Sequence, residues 1–219
     1  MRTIIFDLDN TLYDVEQYYS GAFQQIADYL SEKYDFRRDA TFQKLMSAWK
    51  KHTSAYPYLF DDVVKELNMD SMEVNNLRIK FNNYSGKLNP YKDTVSVLNF
   101  IKKNNLQLGL ISDGDPARQI RKLDLLKIND FFKIKVFPKE FGLDKRSVIS
   151  FELFIKKAGV SPESCFYVAD NPLVDFENSK KVGMNTVRIL KGEYKKLPGN
   201  EYIDFEIKNL NSLLGILKI

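Results

Sequence analysis

The chain has 219 residues, enough for one large domain or for one domain carrying an insert. Hydrophobic residues make up 44% and charged residues 28%, with a net charge of +4, an ordinary globular balance with a mild basic excess. The lysines fall in scattered pairs such as Lys102-Lys103 and Lys180-Lys181, the pattern of a solvated surface, so no nucleic-acid partner is expected.

Single residues narrow the chemistry further. No apolar run approaches the roughly 20 residues that span a bilayer, so no membrane partner is expected. The chain opens directly on a strand pattern, and no signal peptide is expected. Cys165 is the only cysteine, which forbids an intramolecular disulfide and suits a reducing cytoplasm. It lies in an apolar run and reads as core. His52 is the only histidine and follows Lys50 and Lys51 in a polar patch. A Ser-His-Asp hydrolase would have to route every proton through it, and a His-rich zinc site is excluded. The chemistry must run on carboxylates, hydroxyls and lysines.

Residues 4–12, Ile-Ile-Phe-Asp-Leu-Asp-Asn-Thr-Leu, read as an apolar strand that delivers Asp7 and Asp9 to its C-terminal tip. Side chains alternate along a strand, so the two acids approach a ligand from different directions once the chain turns. Aspartates also make turns and caps. Ligands of open parallel sheets, however, bind beyond the carboxyl ends of the strands, where these acids lie.

From 14 to 89 the rhythm is helical. Tyr19, Ala22, Phe23, Ile26, Ala27 and Leu30 recur at helical spacing, then Phe42, Leu45, Met46 and Trp49. Further helices are expected near Phe60 to Leu67 and Ser71 to Tyr84, with Ser71 as N-cap. From Pro90 helices and strands alternate. Helices are expected near 94–104, from Asp115-Pro116 onward, and near 147–157, 174–182 and 209–217. Strands are expected at 106–112, 134–137, 164–169 and 186–190. Alternation implies an α/β fold, a Rossmann-like parallel sheet with helices on both faces. The expected division is an α/β core of residues 1–13 and 90–219, interrupted after its first strand by a small all-helical cap of residues 14–89. An insert at that point is where a lid over the strand ends would go.

Three later strand ends carry polar groups. Ser112 ends one strand, where its hydroxyl can bond a phosphate oxygen beside a helix start. Lys145 precedes a helix, where an ammonium can neutralise phosphate charge. Asp170 and Asp175 follow a fully apolar strand. Asp170 suits an oxygen shell for Mg2+, and Asp175 suits a bond to a lysine or to a metal-bound water. Each is a weak signal alone, since Ser-Asp-Gly is a turn and Lys145 is one lysine of many.

In this order the groups resemble the haloacid dehalogenase superfamily of phosphohydrolases. Asp7-Leu8-Asp9-Asn10-Thr11 is similar to its first motif, Asp-x-Asp-x-Thr; Ser112 matches the second, Lys145 the third, Asp170 with Asp175 the fourth. The helical insert resembles the family's C1-type cap. The resemblance covers essentially the whole chain. It implies that Asp7 is the nucleophile that forms an aspartyl-phosphate and that Asp9 is the general acid and base. It implies that Mg2+ is held by Asp7, the backbone carbonyl of Asp9, and Asp170, and that Ser112 and Lys145 bind the phosphoryl group. Thr11 and Asp175 would support these residues from behind.

The pattern departs from the family at three places. Arg146 follows Lys145 where proline is frequent, Ala169 replaces a common glycine, and Asp113 stands where asparagine is frequent. The last puts an extra negative charge near the phosphate site unless it is capped. The expected activity is hydrolysis of a small phosphorylated metabolite, such as a sugar phosphate, nucleoside 5′-monophosphate or phosphoglycolate. The alternatives are a 2-haloacid dehalogenase, disfavoured by Asp9, a phosphomutase, and a catalytically weak binding module. Neither the oligomeric state nor the cap residues that touch substrate can be read from the sequence.

Overall fold

The computed structural model describes residues 2–52 and 56–218. The chain forms two compact units, Met1–Val15 with Lys87–Ile219, and Glu16–Gly86. The first unit is built on six parallel strands. They are β1 (Thr3–Phe6), β2 (Gln107–Ile111), β3 (Ile134–Val136), β4 (Cys165–Ala169), β5 (Asn185–Ile189) and β6 (Phe205–Ile207). Their order across the sheet is β3-β2-β1-β4-β5-β6.

That order places β1 at the sheet centre, with Phe6 opposite Leu110 of β2 on one side and Val168 of β4 on the other. The connections reverse direction about β1, so β1 and β4 flank the point where ligands of doubly wound sheets bind. β1 is buried on both faces, as the unbroken run Thr-Ile-Ile-Phe requires of a central parallel strand. The expected strand over 4–12 therefore ends earlier, at Phe6, and residues after Asp7 form a turn.

Four helices of this unit cover the sheet: α5 (Thr94–Lys103), α6 (Pro116–Leu125), α7 (Ile149–Ala158) and α8 (Phe176–Lys181), with α9 (Asn211–Leu217) closing the chain. One face buries Ile5, Ile111, Phe151, Phe154, Tyr167 and Phe176 together. Gly109 in β2 makes room for this packing, since a β-carbon there would lie 2.1 Å from the ring of Phe154. Cys165 is wholly buried in the same cluster, and burial pushes its thiol up to about 11, the behaviour of a core residue rather than a nucleophile. The Asp115 carboxylate accepts from Arg118 N at 2.9 Å and Pro116 takes the first helical position, so α6 starts where its cap and proline dictate.

The second unit comprises α1 (Glu16–Tyr34), α2 (Arg38–His52), α3 (Leu59–Glu66) and α4 (Glu73–Asn82). Aromatics fill its core. Tyr19 stacks on Trp49 with ring centres 4.6 Å apart, and Phe81 packs against Tyr18, Phe23 and Phe60. Ser71 is not the cap of α4: Met72 holds that position, and Asp70 supplies the side-chain acceptor, 2.8 Å from Met72 N. No described helix is long and apolar enough to cross a membrane.

Candidate active site

Asp7 continues the β1 ladder by donating its N–H to Val168 O at 2.9 Å, which fixes its carboxylate at the strand tip. The chain then turns sharply. Asn10 takes a left-handed conformation, φ 56°, which asparagine tolerates better than most residues. Its side chain accepts from Val15 N at 3.3 Å, and Leu12 N bonds Leu8 O at 3.0 Å. The turn brings Tyr13 back beside Asp9, so that the phenol donates to Asp9 Oδ1 at 2.6 Å.

The two acids meet different partners, as strand alternation requires. Lys145 Nζ lies 2.9 Å from Asp7 Oδ1 and 2.6 Å from Asp175 Oδ1, with all three side chains almost fully withdrawn from water. Asp175 also accepts from Tyr167 Oη at 3.1 Å and from Asn171 N at 3.0 Å. Burial would lower the Lys145 ammonium, but the carboxylates of Asp175 and Asp7 outweigh it and hold it well above the usual lysine value. Burial pushes Asp7 up to about 7 against the attraction of Lys145, with Asp175 and Asp9 adding to the rise.

Asp9 is held by α6. Lys122 Nζ, at 2% side-chain exposure, sits 2.8 and 2.7 Å from the two Asp9 oxygens. Burial would raise Asp9, but the charge and hydrogen bonds of Lys122, with the bond from Tyr13, bring it below the ordinary carboxylate value. Gln119, also fully buried, donates to Ser112 Oγ at 2.8 Å and Asp113 O at 2.6 Å, and approaches Asp9 Oδ2 at 3.4 Å. The extra charge of Asp113 is met locally, because its carboxylate accepts from Lys145 N at 3.2 Å through both oxygens. Burial nonetheless raises Asp113.

Asp170 sits at the tip of β4, beside β1. Its Oδ2 is buried with no hydrogen-bond partner, and burial, then Asp175 and Asp7, push the carboxyl well above its ordinary value. A buried carboxylate oxygen without a donor is costly unless something else fills the role. Asp7, Asp9, Asp113, Asp170 and Asp175 outnumber the ammonium groups of Lys122 and Lys145 in this neighbourhood. An orphaned oxygen, a surplus of carboxyl groups over ammonium groups and an oxygen donor set fit a hard divalent cation. No ready-made cage of three or more His, Cys, Asp or Glu side chains occurs among the described residues.

The structure thus draws Asp7, Lys145 and Asp175 into one contact and joins Ser112 to Asp9 through Gln119. Thr11 is fully buried in the turn, but its Oγ1 has no partner, so no bond from it to the acids supports the expected backing role. Sequence reasoning missed Lys122, Gln119, Tyr13 and Tyr167. Gln119 and Lys122 stand three apart on one face of α6, and a buried lysine there is a demand for a carboxylate.

The description "haloacid dehalogenase-like hydrolase" matches residues 4–189. The chain belongs to this family and is a hydrolase of the phosphatase type. Over its whole length it is 34% identical to the glyceraldehyde 3-phosphate phosphatase of Methanocaldococcus jannaschii, covering 97% of that protein. It is 28% identical to the protein of the same name from Pyrococcus furiosus, covering 93% of it. Among solved structures, a haloacid dehalogenase-type phosphatase from Thermococcus onnurineus superimposes with a TM-score of 0.71 at 25% identity, over 99% of this chain and 98% of that one.

Proposed function

We propose that the chain is a Mg2+-dependent phosphomonoesterase acting through an aspartyl-phosphate on Asp7, with a small sugar phosphate as substrate. The single observation that carries this reading is the convergence of two acids with separate partners, Asp7 on Lys145 and Asp9 on Lys122, at the tip of the central strand. Relatives named glyceraldehyde 3-phosphate phosphatase, matched over 97% and 93% of their length, make that triose phosphate the first substrate to test.

The chemistry divides between the acids. Asp7 attacks phosphorus, forming its O–P bond as the ester P–O bond breaks. Asp9, once protonated against the pull of Lys122, gives that proton to the leaving oxygen. Asp9 then takes a proton from water, whose oxygen attacks phosphorus and breaks the bond to Asp7, releasing inorganic phosphate. Ser112 and Lys145 bind the phosphoryl oxygens, and Asp175 keeps the Lys145 ammonium aimed at them. Asp7, Asp170 and the Asp9 backbone carbonyl would hold Mg2+, which when bound neutralises charge on the transferring group. Positioning and charge neutralisation supply most of the rate in phosphoryl transfer.

Phosphate release tests the reading. Glyceraldehyde 3-phosphate, phosphoglycolate and nucleoside 5′-monophosphates are compared with Mg2+, with EDTA, and after Mg2+ is restored. The triose phosphate should show the highest kcat/KM, with activity lost in EDTA and recovered on adding Mg2+. Full activity in verified absence of metal would refute the metal assignment.

A further inference from the structure

Lys122 has no place in the motifs that carry the chemistry, yet the fold builds a site around it. It lies in the last turn of α6, its side chain sealed from solvent, next to the core residue Leu123. A buried ammonium persists only when paired. Here two bonds go to one carboxylate, at 2.8 and 2.7 Å. Tyr13 donates to Oδ1 at 2.6 Å, and Gln119, one turn earlier on α6, bears on Oδ2 and on Ser112. A carboxylate gripped through both oxygens cannot rotate freely about its Cβ–Cγ bond.

We infer that Lys122 is a positioning residue for Asp9: it locks the plane of that carboxylate so that one oxygen serves both the leaving group and the attacking water. The inference rests on the acid and base role proposed for Asp9 and deepens it. α6 thereby ties the proton-transfer acid to the phosphate-binding hydroxyl of Ser112, through Gln119. Lys122 touches neither substrate nor phosphorus in this account. It acts only through Asp9, and that restriction makes it testable.

The experiment is a double-mutant cycle on the Mg2+-loaded enzyme, using wild type, Lys122→Met, Asp9→Asn and the combined variant. Glyceraldehyde 3-phosphate and p-nitrophenyl phosphate are the substrates. Lys122→Met should lower kcat at least about tenfold with KM changed less than about threefold, the mark of an interaction that matters in the transition state. With p-nitrophenyl phosphate, whose leaving group hardly needs a proton, it should show a burst of p-nitrophenol followed by slow turnover. On the Asp9→Asn background the same change should cost less than about twofold, because residues acting as a unit are not additive. Should Lys122→Met fail to fold with Asp9 left unpaired, the combined variant, which carries neither charge, is compared with Asp9→Asn and should match it. A wild-type rate in Lys122→Met, or an equal loss on both backgrounds, overturns the inference while leaving the phosphatase reading intact. Wild-type activity in Asp9→Asn overturns the role of Asp9 and the inference with it.

Discussion

Lys145 Nζ lies 2.9 Å from Asp7 Oδ1 across 138 residues of sequence, with 7% of each side chain exposed. The same ammonium is 2.6 Å from Asp175, so one lysine compensates two buried carboxylates. Removing it takes the ammonium from both at once and leaves Asp175 only its bonds from Tyr167 Oη and Asn171 N among the described residues.

Lys145→Met should therefore cost both activity and stability. Breaking a buried pair by deleting one partner destabilises by about 3–5 kcal/mol. The loss of the charge proposed to bind the phosphoryl group should lower kcat/KM by roughly 10²-fold or more. Denaturant unfolding and phosphate release measure the two effects separately, and a variant as stable as wild type would contradict the pairing.

The turn that carries Asp9 leans on a distant glycine. Gly192, at φ +60°, would place a β-carbon 2.2 Å from Asn10 Cγ. The segment around it is anchored by buried Arg188, which donates to Tyr194 O and Leu197 O at 2.8 and 2.9 Å. Neither side can retreat easily. Gly192→Ala should lower Tm by several degrees, since about 1 kcal/mol is worth roughly 2–4 °C in a chain of this size. Gly142→Ala is the control, with a similar φ of +70° and nothing within 4 Å. The difference between the two isolates the contact with Asn10, and equal shifts would show that the contact does not matter.

In the helical unit a buried acid makes stability depend on pH. Glu73 accepts from Lys33, Tyr34, Tyr29 and Asn76 at 2.6–3.1 Å. Burial would raise it, but these bonds outweigh burial and bring it down to about 2, from 4.5. A carboxylate lowered by folding stabilises the native state above its unfolded pKa, and that stability is lost as pH falls through the folded value. The contribution should be complete above pH 4.5 and vanish towards about pH 2. Thermal melts of wild type and Glu73→Gln should show wild type more stable at neutral pH, with the gap closing over that window. A gap independent of pH would mean that the charge of Glu73 is not what the bonds recognise.

Much of this was legible in the chain. The parallel sheet follows from apolar runs alternating with helical periodicity, and the acids at the tip of β1 stand out against Ile4, Ile5 and Phe6. What was hidden depends on contacts distant in sequence. Lys122 looks like any surface lysine until Asp9 is placed against it. β6 escaped notice because Phe205 and Glu206 are exposed in a three-residue strand, held chiefly by pairing with β5. Asp113 looked like a liability because its partner, the backbone N–H of Lys145, is 32 residues away.

The central claim, a covalent phosphoryl group on Asp7 that Asp9 helps to form and to release, is tested most directly by trapping it. The enzyme with Mg2+ is mixed with a phosphate-labelled activated ester such as p-nitrophenyl phosphate, quenched in acid within milliseconds, and mapped by peptide analysis. The account predicts brief labelling of wild type at Asp7 and stoichiometric accumulation in Asp9→Asn, where water lacks its base. Asp7→Asn should carry no label and release no phosphate. Wild-type turnover by Asp7→Asn, or label that never reaches Asp7 in Asp9→Asn, would contradict it.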